Sequence, residues 1–210
     1  APLIKKDAMH FCVSSTCPAR RIEGMIHFSS RDAMDIDTMG EKVCEEFFNV
    51  GLITDIPSIY DLWKHREEIV GREGWQDKSV DNLLDAIEKS KHNSLEKLLF
   101  GLGIKEVGEK MAKTLAKRYI ELEKFFDLSE EELMAIPDVG PVVAHSIYEF
   151  FHNDENIKMI NLLKEKGLNL TYLGVTTVNE SSPFFGKTCV LTGTLSKYGR
   201  KEATEILENL

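Results

Sequence analysis

Leu102-Gly103-Ile104-Lys105-Glu106-Val107-Gly108 leads into a run where Ala112, Leu115 and Ala116 fall on one helical face. The pattern is an apolar residue, a turn glycine or its stand-in, a small or branched residue four positions on, and bulky apolar residues after it. Val139-Gly140 repeats it with Ala144, Ile147 and Tyr148, and Met39-Gly40 with Cys44, Phe47 and Phe48. Trp75-Gln76, with glutamine at the turn, precedes Val80, Leu83 and Leu84. The turn positions 40, 76, 108 and 140 are spaced by 36, 32 and 32 residues. Such an internal repeat sets the architecture before any single element is considered.

Outward from the repeat, apolar residues recur at helical spacing from about residue 31 to 168, which predicts a mainly α fold. Pro141 suits a first helical position. Ser129 with Glu132 and Ser58 with Asp61 both match a capping box that opens a helix. Residues 1–30 show little periodicity, hold the close cysteine pair Cys12 and Cys17, and read as a small stapled module. Residues 171–183 have the composition of a linker, with Thr176-Thr177, Asn179, Ser181-Ser182 and Pro183. Beyond them Thr188-Cys189-Val190-Leu191-Thr192 reads as a buried strand, Gly193 as a turn and 199–210 as a helix. A strand and a helix cannot form a stable domain alone, so 184–210 is expected to be the start of an incomplete α/β module.

Charge constrains what the helices can bind. The 210 residues carry a net charge of −9, and residues 31–150 hold 15 basic against 26 acidic side chains, so any grip on an anion must be local. Residues 104–118 run the other way, with Lys105, Lys110, Lys113, Lys117 and Arg118 against Glu106 and Glu109. No stretch approaches the roughly 18 consecutive apolar residues of a membrane helix, and the start of the chain lacks a hydrophobic signal core, so a cytosolic location without membrane contact is expected.

A glycine between two helices allows positive φ and close backbone approach, and the next helix starts with amides that have no internal partner. Those amides and the helix dipole attract phosphate without needing basic side chains, which suits an acidic chain. Ala112 and Ala144 would let paired helices cross closely. This arrangement resembles the helix-hairpin-helix motif, a family of sequence-independent DNA binders, most clearly at Leu102 to Gly108 and at Ile136-Pro137-Asp138-Val139-Gly140. The expected DNA-binding residues are Gly40, Lys42, Gly103, Lys105, Gly108, Lys110 and Gly140. With Gln76 for glycine and Arg72 for isoleucine, the second copy is expected to be structural.

Cys12-Val13-Ser14-Ser15-Thr16-Cys17-Pro18-Ala19 is a C-x4-C pair whose spacing suits two thiolates on one zinc, half of the four ligands that structural zinc needs. Four features follow one another in the chain: this pair, His27-Phe28-Ser29-Ser30-Arg31-Asp32-Ala33-Met34-Asp35-Ile36, four hairpins, and Phe184-Phe185-Gly186-Lys187 with Val190-Leu191-Thr192-Gly193. That order resembles the C-terminal part of bacterial NAD-dependent DNA ligase. The resemblance implies that 1–30 is the second half of a four-cysteine zinc finger with Cys12 and Cys17 as metal ligands, the site being incomplete in this chain. It further implies that 31–170 is a tandem helix-hairpin-helix domain on nicked double-stranded DNA, and that 171–183 links to a truncated BRCT-like domain at 184–210. NAD and magnesium would serve the parent enzyme at sites outside this chain, which lacks the family's Lys-x-Asp-Gly motif, so no catalytic residue is expected here and the chain alone should be inactive. The alternatives are a repair or recombination protein using the same hairpins, and a protein-interaction scaffold favoured by the negative charge.

Overall fold

The computed structural model describes residues 3–6, 9–12, 17–174, 183–184, 187, 189–193 and 197–208. Two compact units divide the chain, Ala1–Tyr172 and Leu173–Leu210. The first opens with strands β1 (Leu3–Lys6) and β2 (Met9–Cys12), an antiparallel pair with Leu3 opposite Cys12 and Lys6 opposite Met9. Among the described residues the rest of this unit is mainly helical, as the repeat predicts.

Helix α1 (Pro18–Ser29) starts with Pro18 in its first turn and lies inside the stretch expected to form the N-terminal module. It pairs with α2 (Glu41–Asn49) as hairpin 1. After the short α3 (Ile56–Ile59) and a 3-10 turn over Leu62–His65, α4 (Arg66–Val70) and α5 (Asp77–Ser90) form hairpin 2. Helices α6 (Leu95–Gly101) and α7 (Glu109–Tyr119) form hairpin 3, and α8 (Glu130–Met134) and α9 (Pro141–Phe151) form hairpin 4. A 3-10 helix at Leu122–Asp127 joins the last two, and α10 (Asp154–Glu165) closes the array.

The repeat's apolar positions meet in one core. Met25 and Phe28 of α1 are fully buried with Cys44 and Phe47 of α2, Val80 and Leu83 of α5, Ala112 and Leu115 of α7, and Ala144 of α9. Gly101 ends α6 where an added Cβ would lie 3.3 Å from Phe28 Cδ2 and 3.4 Å from Ala33 Cβ, so its missing side chain lets hairpin 3 close on hairpin 1. An aromatic stack carries the core into hairpin 4, with Tyr119 against Phe125 at 5.1 Å and Phe125 against Phe151 at 4.9 Å between centroids.

The hydroxyls of Ser90 and Tyr60 are bonded inside this core. Ser90 Oγ donates to Ile87 O (2.7 Å), which leaves Tyr60 Oη as donor to Ser90 Oγ (3.0 Å), and burial pushes the Tyr60 pKa up. Burial likewise raises the Cys44 thiol to about 11, and the thiol donates weakly to Met39 O at 3.7 Å. This cysteine is a packing residue.

Two helix boundaries differ in an instructive way. Ser129 and Glu132 form the expected capping box of α8. Ser58, expected to start a helix with Asp61, instead sits inside α3: Asp55 is the cap, accepting Ser58 N–H (2.9 Å) while Ser58 Oγ accepts Asp55 N–H (3.1 Å). Pro57 in the first turn favours that earlier start. Asp61 is bound instead by Lys64 (2.8 Å) and by Lys166 at the end of α10 (2.6 Å). Burial raises its pKa, but those two cations outweigh the burial and hold the carboxyl below its ordinary value.

The segment Leu168–Tyr172 runs back across the array as a strap. Asn169 N–H donates to Lys91 O (2.8 Å) and its Nδ2 to Asn93 O (2.9 Å), while Thr171 O accepts Leu95 N–H (3.2 Å). Leu122 N–H donates to Leu170 O (2.9 Å) and Tyr172 N–H to Ile120 O (2.7 Å). Between these bonds Ile120 is held at φ +64° and ψ −45°, a γ-turn closed by Glu121 N–H on Tyr119 O (2.6 Å).

In the second unit α11 (Arg200–Glu208) falls where a helix was expected. Residues 189–192, expected as a strand, have no strand assignment, because no partner strand pairs with them among the described residues. Most of the expected linker, 175–182, lies outside those residues.

Hairpin 4 carries a titratable clasp. His145 on α9 meets Glu130 at the start of α8 (Nδ1 to Oε1, 2.8 Å) and Glu149 one turn on (3.6 Å), and the Glu130 bond, then the Glu149 charge, raises its pKa above 6.5. A raised folded-state value means that this contact stabilises fully below the unfolded value and is lost as pH rises through the folded one. His145→Gln should therefore lower Tm at pH about 5.5–6 and leave it unchanged at pH about 9. Melting curves of both proteins over that range check the sign.

Candidate nucleic-acid interface

All four turns share one backbone construction. The residue four before each turn position (40, 76, 108 and 140) accepts a hydrogen bond from the residue one before it: Met39 N–H to Ile36 O (3.2 Å), Trp75 to Arg72 (3.2 Å), Val107 to Ile104 (3.1 Å) and Val139 to Ile136 (3.1 Å). The residue between, two before the turn position, is left-handed each time, with φ of +74° at Thr38, +85° at Gly74, +64° at Glu106 and +65° at Asp138. These are the features of type II turns.

The turn glycines therefore do a different job from the one their sequence suggests. Gly40, Gly108 and Gly140 have φ of −81°, −84° and −86°, which any residue adopts. The positive φ expected of them sits two positions earlier, on Thr38, Glu106 and Asp138, where no glycine marks it. Left-handed geometry costs non-glycine residues about 1–2 kcal/mol each. Each of the three glycines instead stands at the N-cap of the second helix, where its carbonyl accepts the first helical bond: Cys44 N–H to Gly40 O (3.0 Å), Ala112 to Gly108 (2.9 Å) and Ala144 to Gly140 (2.9 Å). No side chain caps these helix starts, so their leading amides remain available. A Cβ added at any of the three would meet nothing within 4 Å. What a side chain there would obstruct is an approach from outside, and a phosphate is the ligand that such amides and the helix dipole favour.

The expected basic residues sit at or beside these starts. Lys42 and Lys110 occupy the second position of α2 and α7, Lys105 lies in the turn of hairpin 3, and all three are exposed. None forms an ion pair among the described residues. Gly103, expected with them, is the left-handed residue (φ +67°) that terminates α6. It faces His27, whose Nε2 bonds Phe100 O at 2.7 Å. Hairpins 1 and 3 are thus held together through α1 and the end of α6.

Hairpin 2 has spent its polar groups internally. Gln76 N–H donates to Ser79 Oγ (2.9 Å), Arg66 bridges Asp77 (3.0 Å) and Asp81 (2.9 Å) across the start of α5, and Arg72 Nε pairs with Glu46 of hairpin 1 (2.7 Å). Hairpin 4 differs again, since Pro141 and Val142 stand where the others have an acid and a lysine, and Val142 is exposed. Sequence reading passed over two cations. Lys78 keeps the register of Lys42 and Lys110, so the repeat alone could have marked it, whereas Arg31 precedes the repeat and reaches the hairpin 1 turn only through the folded loop.

Cys17 stands half-buried at the N-cap of α1. The side chain of Cys12 lies outside the described residues, and among those described no group of three or more His, Cys, Asp or Glu could hold a metal ion. No described helix is long and apolar enough to cross a membrane.

A family model for the helix-hairpin-helix motif matches residues 97–160, which takes in hairpins 3 and 4. Over 99% of its length the chain is 44% identical to a DNA ligase of Acholeplasma laidlawii, and over 95% it is 48% identical to one of Anoxybacillus flavithermus and 43% identical to one of Bacillus subtilis. The chain is homologous to part of the bacterial DNA ligases. It spans 30–32% of the length of these ligases.

Gly108→Ala separates fold from ligand. The new Cβ has open space and an ordinary φ, so stability should fall by less than about 1 kcal/mol, the scale of an altered N-cap. Duplex DNA affinity should fall several-fold if these amides receive a phosphate, because the methyl group would obstruct its approach. Melting and fluorescence anisotropy on the same sample check both halves.

Proposed function

We propose that this chain is the DNA-gripping region of an NAD-dependent DNA ligase that seals single-strand nicks in duplex DNA. The observation that carries the reading is the set of glycine-started, uncapped helices in hairpins 1, 3 and 4 of a chain homologous to DNA ligases. Amides following Gly40, Gly108 and Gly140 hold backbone phosphates, with Lys42, Lys105 and Lys110 adding charge and Gly103 shaping the turn of hairpin 3. Hairpin 2 serves as a brace. Contacts of this kind bind without reading bases, and each neutralised phosphate steepens the salt dependence.

What the region contributes to sealing is position. Holding the duplex on both sides of a nick keeps the 3′-hydroxyl and 5′-phosphate aligned and lowers the entropic part of the barrier. Transfer of AMP from NAD, with magnesium, belongs to parts of the parent enzyme that carry a Lys-x-Asp-Gly motif, which this chain lacks. Cys12 and Cys17 supply two of the four thiolates of a structural zinc finger within residues 1–30, a donor set that is incomplete in this chain. Residues 184–210 start a BRCT-like module after a linker, and the DNA-binding domain expected at 31–170 is extended to take in α1 of hairpin 1 and the strap through Tyr172.

Anisotropy against nicked, intact and single-stranded DNA over a salt series tests this function. Binding should be duplex-selective, strongest at the nick and steeply weakened by salt, and the Lys105→Glu/Lys110→Glu double variant should lose at least tenfold in affinity. Absence of duplex binding at about 20 mM salt, where phosphate contacts are strongest, would reject it. Incubation of the chain with labelled NAD should yield no labelled protein.

A further inference from the structure

Hairpin 1 differs from the other three in what surrounds its turn. The end of α1, the loop after it and the turn itself border an open groove of about 490 Å3, lined by Ser29, Arg31, Asp35, Asp37, Thr38 and Gly40 among others. Three of these groups have unused bonding capacity. Ser29 is 3% exposed, yet its Oγ has no hydrogen-bond partner. Arg31 is exposed at the groove and forms no ion pair among the described residues. Thr38 is exposed as well, and among those residues its hydroxyl makes no hydrogen bond.

Thr38 is also an expensive choice. Its position is left-handed in all four hairpins, occupied elsewhere by Gly74, Glu106 and Asp138. A β-branched side chain fits that conformation worst, and such an outlier persists where the side chain serves a purpose. Glycine offers no donor and the two acids repel an anion, so of the four residues at this turn position only Thr38 brings a neutral hydroxyl. The groove's carboxylates, Asp35 and Asp37, disfavour free anions, and Asp37 Oδ1 already accepts Thr38 N–H at 2.9 Å. A phosphate carried in by a duplex already held at the helix start is delivered at high effective concentration and escapes that limit.

We propose that this groove is a second phosphodiester subsite of hairpin 1. Arg31 supplies its charge, Thr38 Oγ1 donates to the phosphate oxygen, and Ser29 lies at its buried side. The occupant is the backbone phosphate next to the one at the start of α2. This assignment rests on the DNA-binding reading above.

The test uses the whole chain and nicked duplex in a salt series, with Arg31→Gln, Thr38→Gly and Thr38→Ser beside Gly108→Ala. Thr38→Gly should raise Tm by a few degrees, since glycine is at ease at positive φ, and still weaken binding about tenfold, the worth of a hydrogen bond to a charged group. Unfolding cannot produce that combination. Thr38→Ser should bind within about twofold of the parent chain, because it keeps the hydroxyl. Arg31→Gln should weaken binding and reduce the slope of log K against log salt by about one, whereas Thr38→Gly should leave the slope unchanged. If Arg31→Gln and Thr38→Gly bind as tightly as the parent while Gly108→Ala does not, the subsite is refuted and the hairpin reading stands. If the parent chain itself fails to bind duplex, both fall together.

Discussion

Each hairpin hangs on two backbone hydrogen bonds, one that closes around a left-handed residue and one that follows it. The first closes the turn, as when Val107 N–H reaches Ile104 O, and the second opens the next helix, as when Ala112 N–H reaches Gly108 O. With both made, the chain reverses within a few residues and the two helices are brought together over a small residue at the crossing, or over the branched Val80 in hairpin 2. Ala112, Ala144 and Cys44 occupy that crossing and are fully buried. The uncapped amides are a by-product of the same geometry: a glycine N-cap that continues an extended backbone has no side chain to offer them.

Charge is partitioned to match. Lys64, Arg66, Arg72, Lys91, Lys124, Lys164 and Lys166 are each engaged by carboxylates. Lys42, Lys105, Lys110 and Arg31, which border hairpins 1 and 3, have no such partner among the described residues. Lys78, Lys89, Lys117, Arg118 and Lys158 likewise form no ion pair among the described residues, and what sets the hairpin 1 and 3 cations apart is that they lie where the backbone already favours an anion. Surface ion pairs of this kind contribute little stability, a median near 0–1 kcal/mol.

Much of this was legible in the sequence, because a repeat reports its own register. The spacing of Gly40, Gln76, Gly108 and Gly140 located the four second helices, and the burial of Val80, Leu115 and Ile147 follows from it. The left-handed residues escaped notice because Thr38, Glu106 and Asp138 do not look like residues that adopt positive φ. Helix α1 was obscured by Arg20, Arg21, Glu23 and His27, which interrupt its apolar face, and Asp55 was overlooked as a cap because Ser58 matched the same motif three residues later. The strap was invisible for a deeper reason. It is held chiefly by backbone atoms, and hydrogen bonds between carbonyls and amides leave no side-chain signature.

That strap has an evolutionary consequence. Tandem repeats that stack in a line can gain or lose units, since each touches only its neighbours. Here the residues after the last helix return to the connections between hairpins 2 and 3 and between hairpins 3 and 4, at Lys91–Leu95 and Ile120–Leu122. Duplicating a hairpin would move those connections out of reach of Asn169, Thr171 and Tyr172. The copy number is thus fixed by closure at the far end of the array, and descent from this fold should vary the hairpins in sequence while leaving them four in number.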